Sequence, residues 1–414
     1  MKPIKITKIS TILLTGPCTN DPYLLECRKR RSAAFIEIQT DSDYRGLGET
    51  YAGYFCPEAV PALVDFFNPI LVGQHAPSDA NAATWIHELW QRMYFCGNFW
   101  CRVGLGAIVL TGIEAALWDL AGKILSKPVY ELLGGAKHRS LPCYATGGPS
   151  NYPKDRLAAK ADHYLSLGFK GFKISAGKLE GGEYTLSGES AQEIAEFEAD
   201  KIEFLRRHVG PDVNILMDGH MGNSTAGTWD LNTAIAVAKG LEPFNLFLLE
   251  EALPYRDPQR YADLAAATTV PIAGGECLST LPEWREYIRR DSFDIAQPDA
   301  SYVGGLAEFC RIAGELSGRG KKIATHAWGA GGSLMQNIHA GFSCKNTCML
   351  EFAPDYAELH KLIMGDSIQI KDGNILLPQT PGLGIELTDE VRNRYPFVPG
   401  SGEFNTVPGK VLVD

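Results

Sequence analysis

Six ionisable residues each close a short apolar run in this chain: Asp218, Glu250, Glu276, Asp299, His326 and Glu351. The runs are Asn214-Ile-Leu-Met-Asp218, Phe247-Leu-Leu-Glu250, Pro271-Ile-Ala-Gly-Gly-Glu276, Phe293-Asp-Ile-Ala-Gln-Pro-Asp299, Lys322-Ile-Ala-Thr-His326 and Met349-Leu-Glu351. Successive closing residues stand 32, 26, 23, 27 and 25 positions apart. Such an interval holds one strand, one helix and their loops. A polar group at the end of every successive buried strand is how a (β/α)8 barrel assembles an active site on one rim. The spacing therefore predicts an α/β chain built on a (β/α)-barrel, a modified TIM barrel, with these six side chains gathered at one end.

A barrel takes roughly 250 residues, and this chain has 414. The surplus lies on both sides. Residues 4–14 and 33–40 alternate well enough to pair as strands, with a polar, loop-like stretch over 16–31. From Pro57 to about Gly135 the pattern is helical, and 107–125 carries apolar residues at helical spacing. This predicts an α+β N-terminal domain over 1–138. The barrel follows over 139–370, with 141–146 as its first strand, a helix over 154–167 and a second strand over 168–174. The segment 177–190 is Gly-rich and charged, either a rim insertion or a mobile loop. Residues 365–377 resemble a short hairpin turning at Asp372-Gly373-Asn374. The Pro/Gly-rich remainder, 371–414, is expected to pack back on the N-terminal domain and complete it.

Net charge excludes one class of function. Lys+Arg 39 against Asp+Glu 49 gives −10, whereas a nucleic-acid footprint is basic. The ten Cys contain no C-x-x-C pair and are expected as buried thiols without a disulfide framework. The start resembles no secretory leader, and no run approaches the roughly 18 apolar residues of a membrane span. The expectation is a cytoplasmic protein with a small-molecule substrate, no nucleic-acid or membrane partner, and a closed homo-oligomeric assembly.

The rim residues carry the chemistry. Asp218, Glu250 and Glu276 would sit on neighbouring strand ends, and three close carboxylates repel unless a cation lies between them. All-oxygen ligation favours Mg2+, with Mn2+ next. The bland alternative is three separate rim salt bridges. Asp299 beside His326 is the arrangement of an oriented general base, or of a buried histidine satisfied by an acid. Glu351 is either a donor to an oxyanion, if protonated, or a rim salt bridge. His220 stands two residues past Asp218 and should share its side of the strand. It reads as a proton donor or as a rim histidine bonded to a neighbour. Glu251 should point away into the strand–helix layer. Lys173 offers a cation to a substrate carboxylate, or snorkels within the barrel.

Taken together the motifs resemble the enolase superfamily and, within it, the mandelate racemase subgroup. The N-terminal part carries Ala115-Ala-Leu-Trp-Asp119-Leu-Ala-Gly-Lys123 and Pro128-Val-Tyr-Glu-Leu-Leu-Gly-Gly135. The barrel carries Gly168-Phe-Lys-Gly-Phe-Lys173, Met217-Asp218, Leu249-Glu250-Glu251, Gly274-Gly-Glu276, Gln297-Pro-Asp299, Gly304-Gly305 and Thr325-His326. The resemblance implies that the N-terminal domain caps the barrel. It makes Asp218, Glu250 and Glu276 Mg2+ ligands, Asp299 and His326 a base dyad, Glu351 the residue stabilising an enolate oxygen, and Lys173 a contact of the substrate carboxylate.

Departures from the family pattern narrow the activity. The second lysine of Lys-x-Lys, a base on the opposite face, is replaced by Ser175. Serine has no pKa suited to that task, which argues against two-base racemisation. Asp218-Gly219-His220 replaces the commoner Asp-x-Asn and is similar to acid-sugar dehydratases of the galactonate type, where that His is the general acid. The expected activity is a Mg2+-dependent lyase acting on an aldonate, less readily an aldarate, and yielding a 2-keto-3-deoxy acid. The alternative is a racemase or epimerase of a hydroxy acid, with His220 or Tyr144 serving the second face. Ser175, Tyr144 and Tyr51 join Lys173 as expected substrate contacts. Residues 17–31 and 49–54 are expected to form a lid, with Arg28 and Arg30 as candidates there.

Overall fold

The computed structural model describes residues 3–17, 30–77, 81–147, 152–180, 183–185, 190–222, 228–354 and 357–400. The alternating N-terminal segments pair as expected. Strands β1 (Ile6–Pro17), β2 (Arg30–Thr40) and β3 (Arg45–Thr50) form an antiparallel meander, with Ile12 opposite Phe35 and Ile36 opposite Gly48. The helix Leu105–Leu125 lies on this sheet. A β-carbon on Gly48 would stand 2.3 Å from the Gly112 carbonyl oxygen, so glycine is what lets the helix approach β3. By length and composition this helix could cross a bilayer, contrary to the expectation that no segment would. Most of its apolar window, 94%, is buried inside the protein.

Eight parallel strands follow: β4 (Ser140–Ala145), β5 (Gly171–Ser175), β8 (Asn214–Asp218), β9 (Leu248–Glu250), β10 (Ile272–Gly274), β11 (Ile295–Ala296), β12 (Lys322–Thr325) and β13 (Thr347–Phe352). They hydrogen-bond in that order, and β13 closes on β4. The segment after β5 carries a small antiparallel hairpin, β6 (Lys178–Glu180) and β7 (Glu183–Thr185). The intervening helices include Lys154–Ser166, close to the expected 154–167, and Leu231–Leu241, Pro258–Ala267 and Leu306–Gly318. Local chemistry sets several starts. Ser190 and Glu193 form a capping box on Ala191–Val209, and Asp230 caps Leu231–Leu241.

Side-chain parity explains why the functional groups converge. Tyr144, Leu216, Leu248, Ala273, Ile295, Ala324 and Met349 form one buried cluster inside the barrel. Asp218, Glu250, His326 and Glu351 each lie two residues beyond a member of that cluster, so they project into the next layer up. The apolar plug thus becomes the floor of the site.

The C-terminal segment returns to the N-terminal sheet. Its hairpin, β14 (Ile370–Lys371) and β15 (Asn374–Leu376), adds antiparallel to the start of β4. Farther on, the Leu383 amide donates to Asp119 Oδ1 at 2.7 Å, Arg392 pairs with Glu37 at 2.6 Å, and Pro396 bridges Leu14.

Candidate active site

Lys173 is the centre of the rim cluster. Its ammonium lies 2.9 Å from Asp218 Oδ2, 2.9 Å from Glu250 Oε1 and 3.1 Å from Glu351 Oε1, and the side chain is 7% exposed. Burial alone would lower its pKa, but these three carboxylates hold it well above the ordinary value. The sequence suggested a cation offered to substrate; in the structure the ammonium is enclosed by the protein's own carboxylates. Burial and the neighbouring Asp218 raise Glu250 to about 8. Burial pushes Asp218 and Glu351 upward too, yet both end below their usual values, Asp218 through His220 and Lys173, Glu351 through Lys173 and His326. Glu351 also accepts the Ala327 amide at 2.8 Å. It therefore stands ionised here, and donating to an oxyanion would require it first to take up a proton.

Across the rim, His326 Nδ1 lies 2.8 Å from Asp299 Oδ2. Asp299 is fixed through its other oxygen, which accepts from the Ser301 amide and hydroxyl at 2.6 Å each and from Asn337 Nδ2 at 2.8 Å. His326 Nε2 is 3.4 Å from Glu276 Oε2 and 4.0 Å from Glu351 Oε2. Burial would lower the imidazole pKa, but Glu276, Asp299 and Glu351 raise it to about 10. The capping sheet reaches this dyad directly: the ring of Tyr51 meets that of His326 edge-on at 5.8 Å.

His220 lies beside Asp218 as expected, though by a turn and not by an extended strand. Strand β8 ends at Asp218, and His220 takes a left-handed conformation with φ +49°. The turn brings its Nε2 to 3.2 Å from Asp218 Oδ2, with the ring 43% exposed. Glu251 does correct the parity argument. It was expected to face the strand–helix layer, but its φ is +44°, and its carboxylate lies with Glu276 and Cys277 in a group of ligand atoms all within 4.8 Å of one another. Among the described residues this is the trio gathered that tightly. Asp218 and Glu250 turn to Lys173, whereas Glu276 turns to His326 and Cys277.

Of the remaining expected contacts, Ser175 closes β5 in register with Asp218 and is buried. Tyr144 is fully buried in the barrel floor, its ring 5.9 Å from the Lys173 ammonium, and its hydroxyl has no partner. Arg28 lies outside the described residues, and Arg30 is exposed at the start of β2. The neighbouring Arg31, which sequence reasoning passed over, is the buried one. Its guanidinium stacks 4.6 Å from the Trp328 ring and 5.3 Å from that of Tyr54, and donates to the Gly329 carbonyl. Its place within the alternating strand Arg31-Ser-Ala-Ala-Phe35 was the available signal.

The donor set fits a hard divalent cation. Five buried or half-buried carboxylates, Asp218, Glu250, Glu276, Asp299 and Glu351, face two cationic groups, Lys173 and His326. Burial and the Asp218 charge raise Glu250 to about 8, a cost that a cation among these carboxylates would relieve, and the potential ligand atoms are all oxygen.

Fold and rim together define an enzyme built on a closed parallel barrel with a capping domain. The comparisons agree. Residues 9–134 match the mandelate racemase / muconate lactonizing enzyme N-terminal domain, and residues 156–391 match the enolase C-terminal domain-like family. An arabinonate dehydratase of Saccharolobus solfataricus is 30% identical over 87% of this chain and 89% of its own length. The structure of L-talarate dehydratase from Polaromonas sp. JS666, complexed with Mg and L-glucarate, superposes with a TM-score of 0.78 at 26% identity, covering 95% of this chain and 98% of that one. A 3,6-anhydro-D-galactonate cycloisomerase from Zobellia galactanivorans gives the same TM-score at 28% identity, over 94% of this chain and 99% of that one. The chain belongs to the mandelate racemase / muconate lactonizing enzyme family of the enolase superfamily, and several of its relatives are named dehydratases, or hydro-lyases.

Proposed function

We propose that the protein dehydrates an acid sugar, an aldonate before an aldarate, to a 2-keto-3-deoxy acid. The observation that carries the proposal is the placement of two histidines. His326 follows β12 and His220 follows β8, four strands apart around an eight-stranded barrel. They therefore stand on opposite sides of the barrel rim that carries the carboxylates. A base on one side and an acid on the other is what elimination of water across C2–C3 requires.

Asp218, Glu250 and Glu276 would hold Mg2+, which supplies positive charge to the substrate carboxylate as the α-proton leaves. Lys173 adds a second cation beside that carboxylate. His326, oriented by Asp299 through Nδ1, presents Nε2 to the C2 proton. Its raised pKa reflects chiefly the Glu276 charge; with Glu276 engaged elsewhere, the ring is released to act as a base nearer neutral pH. Glu351, once it has taken up a proton from solvent, donates to the enediolate oxygen and stabilises it. His220 gives its proton to the departing C3 hydroxyl, and the resulting enol tautomerises to the keto acid. Ser175 leaves the β5 side without a second base, which favours elimination over racemisation. The enzyme is read as a cytoplasmic homo-oligomer.

Deuterium exchange separates the two roles. In D2O, H326N should lose both α-proton exchange and product, each by about 10²–10⁴-fold. H220N should lose product formation by a similar factor while keeping exchange. Full turnover by H220N would remove the acid assigned here.

A further inference from the structure

A second group of potential metal ligands, Glu251, Glu276 and Cys277, lies beside the rim carboxylates. Glycine at 275, with φ +116°, turns the chain at the end of β10 and sends Glu276 and Cys277 off the strand together. Cys277 Sγ comes to 3.8 Å from Glu276 Oε1. A tetrahedral zinc ion holding one thiolate and one carboxylate oxygen sets sulfur and oxygen about 3.6 Å apart. From the adjacent strand, Glu251 brings a third ligand atom into the same group, all within 4.8 Å of one another. Glu251 is 3% exposed. One of its oxygens takes the Gly222 amide at 3.3 Å, but Oε1 is buried with no hydrogen-bond partner. The Tyr255 hydroxyl accepts the Gly275 amide and keeps its own proton for the Glu251 side chain. A buried, unpartnered carboxylate oxygen in a group with a thiol is an unmet demand for a cation.

We propose that Glu251, Glu276 and Cys277 bind a thiophilic divalent cation, with zinc as the reference ion, and that occupancy inhibits the enzyme. Thiolate ligation favours zinc and cobalt over magnesium. The site shares Glu276 with the rim, so an ion here draws that carboxylate away from the catalytic cluster. The inhibition rests on the proposed role of Glu276 as a magnesium ligand; the binding site does not.

Cobalt is the probe, because a cobalt–thiolate bond gives an intense near-ultraviolet charge-transfer band that oxygen ligation lacks. Titration of the full-length protein with Co2+ should develop this band to saturation. C277S should abolish it, and E251Q should weaken cobalt binding about tenfold, within the range for lost supporting ligands. Zn2+ should inhibit magnesium-dependent turnover at concentrations about tenfold lower in the wild type than in C277S, whose activity without zinc is unchanged. Absence of the band, or its survival in C277S, overturns the site. A band lost in C277S but indifferent to excess Mg2+ keeps the site and overturns the sharing of Glu276.

Discussion

Lys173 shows how one residue can report on a cation. Asp218, Glu250 and Glu351 all turn to its ammonium, so removing it strands buried negative charge. Breaking a buried ion pair from one side costs about 3–5 kcal/mol. K173M should therefore unfold at lower temperature than the wild type when both are stripped with a chelator. Added Mg2+ should raise the melting temperature of K173M by more than that of the wild type, because a ligand of the folded state stabilises by mass action. Equal responses would mean that the ion does not enter this cluster. Much of the residue scale was legible from the sequence: the rim residues closed apolar runs, and parity placed them in one layer. Parity failed at Glu251, which like His220 lies past a strand end in a left-handed conformation, whereas His220 still comes to Asp218. There the alternation of a strand no longer dictates which way a side chain points. Arg31 was overlooked for a different reason, since an arginine reads as solvated unless its aromatic partners, Trp328 and Tyr54, are known to be in contact.

Among the elements, the loop after β12 joins cap to barrel. Trp328 Nε1 donates to the Tyr54 hydroxyl at 3.0 Å, and the Ala330 and Ser333 amides donate to Glu49 at 2.7 and 2.8 Å. On its other side His360, from the helix Glu358–Met364, lies 2.8 Å from the Gly329 carbonyl. Burial, and then the Arg31 charge, depress the His360 pKa to about 3. The sign follows from linkage. A folded pKa below the unfolded 6.5 means that unfolding takes up a proton in acid, so this stability is present above pH 6.5 and is lost as pH falls towards 3. By pH 4 the loss is roughly 3 kcal/mol, at about 1.4 kcal/mol per unit. Equilibrium denaturation across that range should show a steeper fall for the wild type than for H360Q. Parallel curves would place the acid sensitivity elsewhere, for instance at His339, which burial lowers to about 4.

At the scale of the whole molecule, Asp119 ties three distant parts together. Its carboxylate accepts the Leu47 amide from β3 at 2.8 Å and the Leu383 amide from the C-terminal segment at 2.7 Å, and pairs with Lys123 at 2.6 Å. It is fully buried, so D119A leaves two buried amides and a lysine without their acceptor. The expected cost is about 3–5 kcal/mol, with faster proteolytic cleavage near residues 380–400 than in the wild type. Cleavage at wild-type rates would show that the tail is held by other contacts. The sequence located the barrel and the cap because their periodicities are strong. It could only suggest the tail's return, because the bonds that fix it join residues such as Asp119 and Leu383, far apart in the chain.

The most direct test of the central claim is a screen of aldonates and aldarates with Mg2+, assayed for 2-keto acid. The account predicts keto acid from at least one aldonate, with turnover lost in both H326N and H220N. Exchange of the α-proton into D2O with no keto acid from any substrate would contradict it and would identify a racemase or epimerase instead.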